Sequence, residues 1–272
     1  MPDFAINHMT TPHVPWRELL ALSTESGCMG VEFRNDLETP LFSGEAPEIV
    51  AAEVRRMGLR IVGLSQVYPF NSWSDAIAEQ VAALISTATA CGAETINLIP
   101  RNDGTETGDG ERQANLRLAL REIRPMLQDA GMTALVEPLG FERSSLRTKA
   151  EAIEAIEAVA SREEFLLVHD TFHHFVAGEE ALFPEWTGIV HISGVSDQDV
   201  AVNEMEDAHR TLVDGDDRLG NVAQIEALLA GGYRGPVSFE CFSPQTHALT
   251  DPASEIKRSL AFITSRLQGR TT

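Results

Sequence analysis

Four residues with metal-binding chemistry sit late in four consecutive β-branched or apolar runs. Glu137 lies in TALVEP (133–138), Asp170 ends FLLVHD (165–170), His191 lies in IVHIS (189–193) and Glu240 in VSFECF (237–242). An isolated glutamate at such a place is as readily a rim residue or a helix cap. Three carboxylates gathered without a cation, however, repel and shift one another's pKa values. With one imidazole they form a hard, mostly oxygen donor set, suited to one divalent ion: Mn²⁺, Mg²⁺, Co²⁺ or Zn²⁺. Such an ion acts as a Lewis acid on a carbonyl and the neighbouring hydroxyl. A flanking glutamate can then take the carbon-bound proton beside the carbonyl, giving an enediolate. Returning the proton to the adjacent carbon moves the carbonyl; returning it to the other face of the same carbon inverts that centre.

Further polar residues follow the earlier runs. Asn7 and His8 end the first, Glu32 and Arg34 end the second, and Gln66, Tyr68, Phe70 and Trp73 follow the third. Asn7, Glu32, Arg34 and Tyr68 are expected to contact a substrate. Against this, Glu32 and Arg34 are two apart on one strand face and could pair with each other, and the aromatic residues could be a packed loop.

The elements that must position these groups alternate along the whole chain. Strands are expected at 4–8, 30–34, 60–65, 95–100, 133–138, 165–170, 189–193 and 237–242. Helices are expected at 15–26, 46–57, 75–91, 110–130, 149–159, 178–183, 221–230 and 252–267. Ser74 can cap the third helix and Gly92 end it, and Thr148 with Glu151 has capping-box spacing. Eight strand–helix pairs in 272 residues predict one α/β domain, a single (β/α)8 TIM barrel over 1–272. An open doubly wound sheet is the other candidate, but no G-x-G-x-x-G follows the first strand. In a barrel the active site lies at the C-terminal ends of the strands. The long connection 194–220 would lie over that face.

Composition removes several function classes. The formal charge of −20 disfavours nucleic acid and anionic membranes as partners. Of 21 cationic side chains only Lys149 and Lys257 are lysine, both in expected helices, so no Schiff-base lysine is evident. Cys28, Cys91 and Cys241 are isolated and read as reduced core thiols of a cytoplasmic protein. No signal-peptide pattern or membrane span is expected. The loops after strands 7 and 8 carry Asp197, Asp199, Asp214, Asp216 and Asp217, which disfavours a phosphorylated substrate.

The motifs LVEPLG (135–140), HDTFHH (169–174), VHISGVSD (190–197), DAHRTLVDGD (207–216) and VSFECF (237–242), together with GVEFRND (30–36) and LSQVYPFN (64–71), extend over nearly the whole chain. In these motifs the sequence resembles the xylose-isomerase-like sugar isomerase and epimerase barrels, and within them most closely the keto-inositol isomerases. The resemblance implies Glu137, Asp170, His191 and Glu240 as metal ligands and Glu137 with Glu240 as the catalytic proton-transfer pair. It implies His173 as a contact to a substrate hydroxyl and Arg210 as an arginine reaching the substrate from the loop after strand 7. The family often shows P-G-x-G after that arginine; here the segment reads VDGDD, with Asp214 in place of the proline.

The function expected is metal-dependent isomerisation of a small neutral polyol-like keto-sugar, foremost 2-keto-myo-inositol, as a step of inositol catabolism. Ketose 3-epimerase, hydroxypyruvate isomerase and inosose dehydratase are alternatives on the same barrel. A hydride shift is the alternative to proton transfer. An apurinic endonuclease would need a basic face, and a purely sugar-binding barrel would not need two proton-transfer carboxylates. The resemblance also implies a homo-oligomer, although no interface signature stands out.

Overall fold

Runs rich in Val, Ile, Leu and Phe form eight strands: β1 (Phe4–Asn7), β2 (Gly30–Arg34), β3 (Arg60–Val67), β4 (Thr95–Leu98), β5 (Thr133–Val136), β6 (Phe165–Asp170), β7 (Thr187–Ile192) and β8 (Val237–Phe239). All pairs are parallel, in the order 1 to 8 with β8 closing on β1, in a computed structural model that describes residues 1–159 and 162–269. The expected (β/α)8 barrel is the fold observed; residues 160–161 and 270–272 of the expected domain lie outside the described residues.

Helices cover the barrel: α1 (Trp16–Ser26), α2 (Pro47–Arg56), α3 (Asp75–Cys91), α4 (Asp109–Ala130), α5 (Lys149–Ala158), α6 (Thr171–Ala177), α7 (Asn221–Ala230), α8 (Pro244–His247) and α9 (Pro252–Gln268). Their apolar stripes bury Leu19, Val50, Val81, Leu120, Ile156, Ile225 and Ile263 against the outward faces of the strands. The Ser74 cap and the Thr148–Glu151 capping box are both formed. Among the described residues no helix is long and apolar enough to cross a membrane.

One helix differs from expectation. The sixth was expected at 178–183 but runs Thr171–Ala177, directly after β6. Asp170 turns the chain at once, accepting hydrogen bonds from the Phe172 and His173 amides at 2.8 and 3.0 Å. Gly178, at φ 66°, ends the helix in the left-handed region that costs glycine little. The four-residue α8 was also not foreseen.

A second small apolar cluster organises the mouth of the barrel. Leu139 and Phe141 after β5, Phe172 on α6, and Val195, Met205 and Leu219 from the long connection pack together. That connection also folds on itself: Gly194 and Thr211 exchange backbone hydrogen bonds at 2.7 and 2.8 Å. Asp217 accepts from the amides of Leu219 and Asn221, turning the chain into α7. Asp214 receives the Asp216 amide at 2.9 Å, so its carboxylate closes a local turn where the family's proline would have set it.

Candidate metal centre and active site

Strand register brings the four groups together. Asp170 and His191 are direct partners across β6 and β7. Glu240 follows Phe239, and its amide donates to the Ile192 carbonyl at 2.9 Å; the Glu137 amide donates to Leu98 at 3.1 Å. Both glutamates thus lie one residue past their strands yet stay tied to the ladder. All four side chains are buried, and one ligand atom of each lies within 4.8 Å of the others.

The donor chemistry fits a divalent cation. His191 Nε2 donates to Glu32 Oε2 at 3.1 Å. Its Nδ1 lies 3.2 Å from Glu240 Oε2 and 3.7 Å from Glu137 Oε1, and against the effect of burial these carboxylates raise the imidazole pKa well above its ordinary value; a cation taking the place of the Nδ1 proton would find the lone pair there. That nitrogen is buried and has no hydrogen-bond partner among the described residues. Because Asp170 uses Oδ1 to cap α6, its Oδ2 is left to face the cluster, where Arg210 donates to it. An unpartnered imidazole nitrogen facing carboxylates is what a cation would satisfy.

Two arginines offset part of the negative charge. Arg210 donates to Asp170 Oδ2 at 2.5 Å and to Glu240 Oε2 at 2.9 Å, and it stacks 4.4 Å over the Phe242 ring. Arg34 donates to Glu240 Oε1 at 2.7 Å and forms a two-point pair with Asp36. The two glutamates titrate apart. Burial pushes the Glu137 carboxyl up, and the Glu240 charge pushes it further. Burial would also raise Glu240, but His191, Arg210 and Arg34 outweigh it and hold Glu240 well below the usual carboxylate range.

A cavity of about 260 Å³ opens above this cluster. Its lining mixes apolar side chains, Ile99, Leu139, Phe141 and Phe242, with the polar Asp36, Gln66, Asn102 and Asp207. Of the residues expected at the substrate, Arg34, Tyr68, His173 and Arg210 line the cavity with Glu137 and Glu240. The buried His173 Nδ1 has no hydrogen-bond partner among the described residues.

Other residues singled out in the sequence are placed away from the cavity. Asn7 and Glu32 are fully buried and do not line the cavity; they lie beneath His191 and Glu240. Glu32 does not pair with Arg34 either. Its hydrogen bonds go to His191, Asn7 and Asn97, while Arg34, two residues further along the strand, meets Asp36 and Glu240. His8 turns away and bonds the Val14 carbonyl at 2.8 Å. Of the aromatic residues after β3 only Tyr68 reaches the cavity; Phe70 is fully buried and Trp73 packs on the core. Lys149 is desolvated, which holds its pKa down, but it contacts His174 and Glu179 at 2.8 Å outside the cavity. Asp36, Asp207, Phe141 and Phe242 were missed. Strand-like spacing could have found two of them, since Asp36 is two residues past Arg34 and Phe242 two past Glu240.

Known proteins agree with this architecture. The sequence profile described as "Xylose isomerase-like TIM barrel" matches residues 20–266. A xylose isomerase domain-containing protein of Salmonella typhimurium LT2 shares 29% identity, covers 97% of each chain and superposes with a TM-score of 0.88. The IOLI protein, crystallised with a bound zinc atom, shares 20% identity over 99% of each chain, TM-score 0.85. An L-ribulose 3-epimerase shares 22% identity over 99% of this chain and 95% of its own, TM-score 0.75. None of the curated proteins compared matches the sequence. With the profile spanning nearly the whole barrel, the chain belongs to the xylose isomerase-like TIM-barrel family.

Proposed function

We propose that the chain is a divalent-metal-dependent isomerase of a small neutral polyhydroxy ketone, with 2-keto-myo-inositol as the leading substrate. The observation that carries this reading is the pair Glu137 and Glu240, both lining one cavity and buried beside Asp170 and His191 in a single cluster of ligand-type groups. Two carboxylates within reach of one bound ketone are suited to taking and returning a proton. The zinc bound by the similarly folded IOLI protein and the 3-epimerase among the structural neighbours are in keeping with it.

Glu137, Asp170, His191 and Glu240 would hold the cation. When bound, the ion supplies Lewis acidity toward a carbonyl and its neighbouring hydroxyl and offsets the carboxylate charge. Glu240, ionised, removes the carbon-bound proton beside the carbonyl. The Arg210 guanidinium, already directed at Asp170 and Glu240, stabilises the developing negative charge. The proton held on Glu240 returns to the neighbouring carbon, directly or after exchange through water and Glu137, which leaves both carboxylates as they began. His173 donates to or accepts from a substrate hydroxyl through its unpartnered nitrogen. The apolar lining residues Leu139, Phe141 and Phe242 suit the C–H surface of a ring, and the polar lining residues suit its hydroxyls.

Incubating the metal-loaded protein with 2-keto-myo-inositol in D₂O, followed by NMR, tests this. Deuterium beside the carbonyl with a new ketone is expected. Isomerisation without deuterium entry points to a hydride shift, loss of water points to dehydration, and inertness toward ketones removes the reading. A sugar phosphate turned over in preference to its unphosphorylated form would remove the neutral-substrate assignment.

A further inference from the structure

Below the four ligand residues lies a polar layer built by strands that supply no ligand. Glu32 on β2 is fully buried. Its Oε2 accepts from His191 Nε2 at 3.1 Å, and its Oε1 accepts from Asn7 Nδ2 at 3.3 Å. The same Asn7 nitrogen donates to Glu240 Oε1 at 3.3 Å. Asn7 Oδ1 is engaged by the Met9 amide at 3.0 Å, which fixes the amide group with its NH₂ toward both carboxylates. A Cβ on Gly63 would come within 3.0 Å of Glu32 Oε2, so glycine leaves the carboxylate its room.

A carboxylate this enclosed costs several kcal/mol of desolvation unless its partners compensate. The barrel provides them, and the connections run to two ligand residues on different strands. Asn7 and Glu32 link His191 on β7 to Glu240 after β8. Histidine can present either ring nitrogen to a metal, and a hydrogen bond at the other nitrogen selects which.

We propose that Glu32 is a positioning residue of the metal centre, holding His191 as the Nε2–H tautomer with Nδ1 presented to the cation, and coupling that ring to Glu240 through Asn7. The inference rests on the metal-centre reading given above. A merely structural role, in which Glu32 only fills and neutralises the barrel interior, would affect folding stability and leave metal affinity alone.

The test is zinc affinity by chelator competition, for the wild-type chain and Glu32→Gln, with folding checked by circular dichroism. Removing such an outer partner is expected to weaken zinc binding about 10–100-fold. A folded Glu32→Gln variant with unchanged zinc affinity overturns the proposal. ¹⁵N spectra of histidine-labelled, zinc-loaded wild-type protein keep the question open to refutation if that variant does not fold. They should show His191 protonated at Nε2 and metallated at Nδ1; the reverse assignment, or a wild-type chain that binds no zinc, overturns it. Because metal binding is the readout, failure of the isomerase reading would be seen separately, in the D₂O experiment.

Discussion

Replacing Arg210 by methionine tests how the site holds its charge. The guanidinium is 1% exposed. It donates to Asp170 at 2.5 Å, to the Glu240 carboxylate at 2.9 Å, to Ser193 Oγ at 3.0 Å and to Asp207 at 3.1 Å. Methionine keeps an apolar side chain of similar reach but neither the guanidinium over Phe242 nor any of the donors. Asp170 and Glu240 then stay buried with less positive charge beside them. Breaking a buried ion pair from one side costs about 3–5 kcal/mol. Arg34 still meets Glu240 at 2.7 Å, so the lower end is expected for the metal-free protein. A divalent ion restores positive charge at the same oxygens, and at 100 times its Kd it adds about 2.7 kcal/mol to the native state. The variant should gain more from the ion than the wild type does, because its carboxylates no longer share their lone pairs with a guanidinium. Urea unfolding, once with EDTA and once with saturating Zn²⁺, measures both quantities. A loss of about 3 kcal/mol in EDTA that narrows with zinc is expected. Equal stability in EDTA, or a difference that widens with zinc, would refute the charge argument.

Two other perturbations probe the support of the site. A Cβ on Gly140 would press into the backbone of His173 and Ala177, which cannot move aside as a flexible side chain could. Gly140→Ala should therefore cost about 1–3 kcal/mol and lower the thermal midpoint, and an unchanged midpoint would contradict this packing. Glu179 is pushed up by burial, but His174 and Lys149 outweigh that and bring it from 4.5 to about 2. A folded-state pKa below the unfolded one gives stability that is present above pH 4.5 and lost as pH falls from about 4.5 toward 2. Acid titration of unfolding should show a shallower loss over that window in Glu179→Gln; identical curves would mean the carboxylate is not held by these partners.

Much of the site was legible because strand ends are legible. The hydrophobic runs ending near residues 137, 170, 191 and 240 fix which side chains share the C-terminal face, since parallel register repeats from strand to strand. Helix α6 was misplaced because its seven residues carry two histidines and no long apolar period; the signal was the Asp170 cap, which the metal-ligand reading had already claimed. Phe141 and Asp207 were missed because they sit on loops, where no periodicity says which way a side chain turns.

The sequence by itself determined the alternation of eight strands with helices and the four ligand-type residues, because periodicity and residue chemistry are local properties; Arg210 came from the family resemblance alone. Only the tertiary structure decided what stands around them. Closing β8 onto β1 brings Asn7 and Glu32 beneath His191 and Glu240, more than 150 residues away in the chain. Glu32 and Arg34, two apart on β2, then find different partners: His191 and Asn7 for one, Asp36 and Glu240 for the other. Side chains two apart on one strand share a face but differ in height, and only the curvature of a closed barrel sets which partners wait at each level.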